Sequence, residues 1–456
     1  MDASRAGPEQ GTASPRPALR LADAVALILG IVIGAGIFRA PSSVAASTSS
    51  GLVLVAAWVA GGLVSFAGAM CYAELAATYP HSGGDYHFLS RAFGRGTAFL
   101  FGWARLTVIP TGSVALLAFV FEDYAAQLVP FDAPAGALSA AMVLGVTGLN
   151  IAGLRIARSV QNVLTLALVA GLVLVIVTGF VVGPAPAATS HAAVRPAFGL
   201  AMVFVLLTYG GWNEAAYISA ELRGGRRMIA VALACGLGAV TALYVLTNAA
   251  LLRGLGLDRL RGSTAAATDL LALGLGGVAS RAFAAIVLAA VLTSANATLL
   301  MGSRQVWAFA RDFAPFAALG RWSGRAGSPV NAILAQGAVA LVLVGIGARA
   351  RSGFEAAVAY TAPVFWLFFL LTGIALFVLR RRDPMAPRPF RVPLYPVTPV
   401  VFLVACAFLL WSSVAYAGAG ALAGLAVLAA GLVPMWLSLR RTPIRRLPRI
   451  EEEVFP

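Results

Sequence analysis

The chain has 456 residues, of which 60% are hydrophobic and only 11% charged. That is less than half the charge of a soluble domain, roughly 25%, and the apolar residues come in long runs, so a soluble enzyme or binding module is excluded in favour of a polytopic α-helical membrane protein. The net charge of +15 is carried by 33 arginines and no lysine; because they gather at alternate ends of the apolar runs, the excess reflects membrane topology and not a nucleic-acid surface.

Residues 1–18 are polar and rich in Pro and Gly, with no apolar core of a signal peptide, and are expected to form a short disordered cytoplasmic tail. About twelve apolar spans follow, at 21–46, 51–77, 93–127, 135–152, 160–183, 197–221, 228–253, 280–311, 329–348, 355–380, 397–415 and 418–439. A second tail is expected at 441–456. Most arginines fall on the side of the two tails, among them Arg5, Arg16, Arg91, Arg95, Arg155, Arg223, Arg311, Arg325, Arg380, Arg381, Arg382 and Arg440. Few fall opposite: Arg195, Arg253, Arg259, Arg261, Arg281, Arg349 and Arg351. An even number of spans with both termini cytoplasmic accounts for this, in a plasma (inner) membrane. The connection 254–279 is long, external and basic, with room for short helices capping the outer mouth.

Two spans are interrupted by glycine. The first carries Gly34-Ala35-Gly36 and the sixth Tyr209-Gly210-Gly211-Trp212-Asn213. Close helix packing of the GxxxG kind explains one such cluster. Two clusters five spans apart are what an inverted repeat of five plus five helices produces, with spans 1–5 in 19–183, spans 6–10 in 197–382, and spans 11–12 in 397–440. A helix broken at that depth exposes backbone only where it lines protein or a cavity, and matched breaks point to a midplane substrate site.

The chemistry of such breaks is specific. If the first helix unwinds at 34–36, the N–H groups of Ala35, Gly36 and Ile37 face the gap with the positive end of a helix dipole and suit a carboxylate. Unpaired carbonyls near Ile31 and Val32, and in the second break near Leu207, Thr208 and Gly210, suit an ammonium. Backbone atoms alone would then hold an α-amino acid.

Several side chains carry two readings. Asn213 and Glu214 either meet substrate, gate or proton, or cap the inner half of the sixth helix. Arg39 is an outer-gate cation or, the blander expectation, is solvated in the outer vestibule. Arg105 snorkels or pairs near the inner face. Tyr209, Trp212, Phe365 and Trp366 stand where they could wall a pocket, Trp212 with the best claim because it lies inside the break. His81, His87 and His191 are expected in loops, without metal-ligand spacing. Cys71, Cys235 and Cys406 all fall in apolar runs, so neither a disulfide-linked partner nor a metal site is expected, and no cofactor. The lack of a phosphate loop speaks against an ATP-driven pump.

These motifs, in this order, resemble the amino acid–polyamine–organocation superfamily and, within it, the L-type-like amino acid transporters of bacteria, over about 21–440. The resemblance is carried by Gly34-Ala35-Gly36-Ile37-Phe38; by Tyr72-Ala-Glu74-Leu75 with Pro80-His-Ser82-Gly83-Gly84-Asp85-Tyr86 and Arg91-Ala92-Phe93-Gly94; and by Val160-Gln161-Asn162. Further along it rests on Tyr209-Gly210-Gly211-Trp212-Asn213, Tyr244 to Asn248, Asn296 with Ser303-Arg304, and Arg380 through Pro393. It implies a leucine-transporter-type fold with alternating access, carboxylate binding on the amides of Ala35 and Gly36, and amine binding on the carbonyls of Val32, Leu207 and Gly210. Two positions depart from the family. Leu168 stands where many exchangers carry a lysine, and Leu207 where a gating aromatic is usual. The expected function is a carrier of neutral α-amino acids working by exchange or proton coupling, with Asn296, Leu168, Glu214, Arg39 and Trp366 as coupling or gating positions. The alternatives are a carrier of cationic amino acids or amines, and a non-transporting sensor or subunit of a complex.

Overall fold

The computed structural model describes residues 21–441 except 35, 82, 129–133, 154–157, 185–196, 217–227 and 325. Both expected tails, Ala35, Ser82 and His191, and Arg155, Arg195, Arg223 and Arg325, lie outside the described residues. Among the described residues the chain is helical, with an isolated bridge between Ser323 and Ser328 in place of any strand. In a bilayer only intrahelical bonding or a closed barrel satisfies every backbone group, and the apolar runs take the first course.

In chain order the helices are α1 (Leu21–Val32), α2 (Gly36–Ser47), α3 (Gly51–Thr78), α4 (Asp85–Phe93), α5 (Arg95–Thr107), α6 (Ile109–Ala125), α7 (Ala137–Ile151) and α8 (Arg158–Val181). They continue with α9 (Phe198–Thr208), α10 (Trp212–Ala216), α11 (Met228–Gly262), α12 (Ala266–Leu275), α13 (Gly277–Asp312), α14 (Val330–Gly347), α15 (Gly353–Arg382), α16 (Val397–Ala430) and α17 (Leu432–Arg441). Among the described residues nine segments are long and apolar enough to cross a membrane, ten if α1 and α2 form one span bent by 52°. The other two expected spans are the shorter α7 and the broken α9–α10. Within α16 the backbone turns at Gly418, φ +56°, which separates the last two spans. The 254–279 connection holds α12, as expected, and α11 kinks at Gly256 before reaching it. One histidine departs from expectation: His87 sits in α4, its ring stacked at 4.3 Å on that of His81.

Two blocks can be traced. The halves α1, α2, α9 and α10 pack with α3 and α11, while α6, α7, α13 and α14 pack with one another. The matched halves pair: α2 lies on α9, and α1 on α10. We call the end that holds the start of α1 and the ends of α15 and α17 proximal, and the opposite end distal.

At the proximal end Glu74, 1% exposed, accepts hydrogen bonds from Nε of Arg380 at 2.7 Å and from the backbone N–H of Val392 at 2.7 Å, with Arg388 at 3.7 Å. A buried carboxylate survives only when its lone pairs are met in this way. The knot ties α3 to α15 and to the segment that leads into α16. Beside it Arg91 and Tyr79 hydrogen-bond Asp383, which holds that carboxyl below the usual carboxylate range.

Candidate functional site

The first break is held from one side. After α1 the chain makes a tight turn in which the N–H of Gly34 donates to the Val32 carbonyl at 2.8 Å. The same carbonyl accepts from the Tyr244 hydroxyl of α11 at 3.0 Å. A carbonyl oxygen has two lone pairs, so that of Val32 is already filled. On the far side of the break α2 begins at Gly36, and no backbone bond among the described residues uses the N–H groups of Gly36 or Ile37. Four orphan N–H groups are usual at such an end. Pro41, inside α2, cannot donate back to the Ile37 carbonyl.

The second break is built differently. The helix α9 closes with Tyr209 N–H on Val205 and Gly210 N–H on Leu207 at 3.1 Å. Gly211 has φ +103°, a conformation open only to glycine at low cost, and α10 starts behind it. The Leu207 carbonyl is also approached by the Tyr209 N–H, and no described backbone donor reaches the Gly210 carbonyl.

The two breaks touch. A Cβ at Gly36 would lie 3.3 Å from Oγ1 of Thr208 and 3.4 Å from its Cα, and one at Gly211 would lie 3.0 Å from the Ile31 carbonyl. Both contacts are too close for a larger residue without movement, so glycine is what lets the halves meet. Because α2 runs away from the break and α9 runs into it, the positive end of one helix lies beside the negative end of the other. The start of α2 and the end of α9 are therefore neighbours, with Gly34, Gly36, Leu207 and Gly210 all part-exposed around the junction.

Aromatic residues brace this arrangement. The Tyr209 hydroxyl donates to the Trp58 carbonyl at 3.0 Å, and the rings of Trp58, Tyr209 and Tyr244 pack at 5.1–6.0 Å. Tyr209 is thus turned into the core and fixes the break by packing. Trp212 is 3% exposed and stacks on Phe369 at 5.3 Å, with Tyr72 and Phe402 edge-on. Trp366 meets the same Phe369 at 5.8 Å, so the structure joins Trp212 and Trp366 through one ring.

Other expected site residues sit apart from the gap. Asn296 on α13 accepts from Asn150 on α7 at 2.8 Å, both buried. Leu168 on α8 is buried in the apolar core, one turn beyond Thr165, which faces Gly30 of α1. The cap of α10 is Gly211, whose carbonyl takes the Glu214 N–H; Asn213 and Glu214 follow in the first turn and do not cap it. The Glu214 carboxylate reaches Arg105 at 3.8 Å, which gives Arg105 the pairing expected of it.

Arg39 corrects the solvated reading. It is 9% exposed, pairs with Asp123 of α6 at 3.0 Å and lies over the Phe354 ring of α15 at 5.5 Å. Ser43, one turn on, donates to Glu355 at 3.2 Å, and Arg261 binds the carbonyls of Ala45 and Thr48. The distal end of α2 is laced to α6, α15 and α11 by charge. Sequence reading placed Ile31 at the break but missed Tyr244 as its brace and Asp123 and Glu355 as partners; the one available signal was an acid at the end of an apolar span.

Against known proteins, residues 19–431 match the family model described as amino acid permease. The chain is 30% identical over 414 residues to the b(0,+)-type amino acid transporter 1 of Mus musculus, covering 88% of this chain and 83% of that one. The human protein of the same name is also 30% identical, over 413 residues and with the same coverage. The Large neutral amino acids transporter small subunit 2 of Homo sapiens is 29% identical over 443 residues, covering 91% of this chain and 81% of the relative.

Proposed function

This chain belongs to the amino acid permease family, and on that premise we propose that it carries neutral α-amino acids across the plasma membrane by alternating access, through exchange or proton coupling. The observation that carries the reading is the meeting of the α2 N-terminus with the α9 C-terminus at Gly36 and Thr208. A zwitterion matches that pair of helix ends. Its carboxylate takes the N–H groups of Gly36 and Ile37, with Ala35 as the expected third donor. Its ammonium takes the carbonyls of Leu207 and Gly210. The Val32 carbonyl, with two donors already, steadies the turn. Thr208 and Ile37 flank the gap, and Trp212 backs it from the aromatic cluster.

The neutral class is favoured over the cationic one by the charges nearby. The acid of the second break, Glu214, faces Arg105, so it offers no free countercharge to a basic side chain. The relatives' names speak of amino acid transport and of large neutral amino acids, which agrees with this choice. One relative is named a small subunit; any such pairing here is proposed to be free of disulfides, since Cys71 and Cys406 are buried and Cys235 lies within α11. The proximal end, rich in arginine, is assigned to the cytoplasm with both termini. The two packed blocks fit an inverted repeat of 19–183 and 197–382, one block rocking against the other about the gap, with the Arg39–Asp123 and Ser43–Glu355 contacts as the outer closure.

The test is uptake of labelled neutral amino acids into proteoliposomes, preloaded with substrate or empty, at fixed pH. Uptake only into loaded vesicles establishes exchange despite Leu168. Uptake into both points to symport or uniport. No uptake into either, with binding retained, leaves the sensor reading.

A further inference from the structure

Behind α9, on the distal side of the breaks, lies a cavity of ≈ 390 Å³. Small-molecule sites run from roughly 300 to 1,000 Å³. One wall is apolar, made of Leu200, Val203 and Phe204 on α9. Arg351, just before α15, Glu355 in its first turn and Tyr416 of α16 also line the cavity. Among the described residues no ion pair joins Arg351 to Glu355, although both line the same space. One oxygen of Glu355 takes the Ser43 hydroxyl, which leaves the other for a ligand.

We propose that this cavity is a second binding site, for a zwitterionic amino acid with an apolar side chain. A lone anion would meet Glu355 and a lone cation would meet Arg351. A molecule with a carboxylate and an ammonium pairs with both, and its apolar side chain packs against Leu200 and the α9 wall beside it. The occupant touches the outer closure directly. Glu355 holds Ser43 of α2, and the Phe204 ring stacks on Phe354, over which Arg39 lies. Filling the cavity therefore bears on the contacts that close the distal end, and the site is placed to tie that closure to amino acid supply. The inference rests on the reading of the chain as an amino acid carrier.

The experiment counts labelled leucine bound at saturation by the full-length protein in lipid nanodiscs. The wild type is expected to bind two molecules per chain. Ala356→Trp, which fills the cavity from its α15 wall, is expected to bind one with the affinity of the central site unchanged. Gly36→Val is expected to bind one, at the cavity. Arg351→Gln and Glu355→Gln are each expected to weaken the second event at least tenfold. A wild-type count of one that survives Ala356→Trp and vanishes in Gly36→Val overturns the cavity site and leaves the central site standing. A count of one with the opposite pattern overturns the central site alone. A count of two in Ala356→Trp puts the second molecule elsewhere and overturns the inference. No binding at all overturns both.

Discussion

The two interruptions use the same residues and solve different problems. In the first, Gly34 has open space: a Cβ there would find nothing nearer than the Val32 carbonyl at 4.0 Å. In the second, Gly211 holds φ +103°, and a Cβ there would meet Ile31 at 2.9–3.0 Å. The first break is kept in shape by a hydroxyl from outside, Tyr244, and the second by its own backbone geometry. Glycine richness therefore marks where a helix breaks, and only the surroundings reveal which glycine the break depends on.

The contrast can be broken at several points. Gly211→Ala should have the largest effect. A non-glycine residue in such a conformation costs about 1–3 kcal/mol, and the clash with Ile31 pushes the first break out of place as well. A fall in the thermal unfolding midpoint in detergent together with loss of leucine binding is expected; intact binding would refute the fixed-hinge reading. Gly36→Val comes next. Overpacking costs about 1–3 kcal/mol, and here the added methyls stand over the donors meant for the carboxylate, so binding at the central site is abolished while the fold survives. Normal affinity there, by equilibrium binding, would sink the backbone site.

Tyr244→Phe should cost about 1 kcal/mol of stability, the worth of one hydrogen bond. Affinity should stay within about threefold, because the Val32 carbonyl is not the ammonium's acceptor. A tenfold change would return Val32 to the site. Glu214→Gln should leave binding intact and flatten any pH dependence of flux, with at most about 1 kcal/mol lost from its contact with Arg105. If the pH profile of vesicle uptake is unmoved, Glu214 serves only that contact and the dipole of α10. Gly34→Ala is the smallest change, within about 0.5 kcal/mol, and its closeness to wild type in a melting curve sharpens the distinction from Gly211.

Much of this was legible in the sequence. The runs of apolar residues placed the spans, and the two glycine clusters placed both breaks, because exposed backbone in a bilayer leaves so few options. What stayed hidden depends on partners distant in the chain. Arg39 read as solvated because its countercharge, Asp123, is 84 residues away. The filled Val32 carbonyl needs Tyr244, 212 residues on. Trp212 could be placed in the break from the sequence, but the ring it stacks on, Phe369, is a neighbour that no local pattern reveals. Asn296, expected as a coupling or gating position, accepts from Asn150, 146 residues away, another partner out of reach of local pattern.

The close approach of Gly211 to Ile31, too tight to admit a Cβ, has a mechanical consequence. Two hinges that bear on each other, backbone to backbone, form an interlock: neither can swing without the other giving way. A substitution that straightens one break is therefore expected to disturb the other, as a shared shift in hydrogen exchange around Ile31 and Gly211 would register.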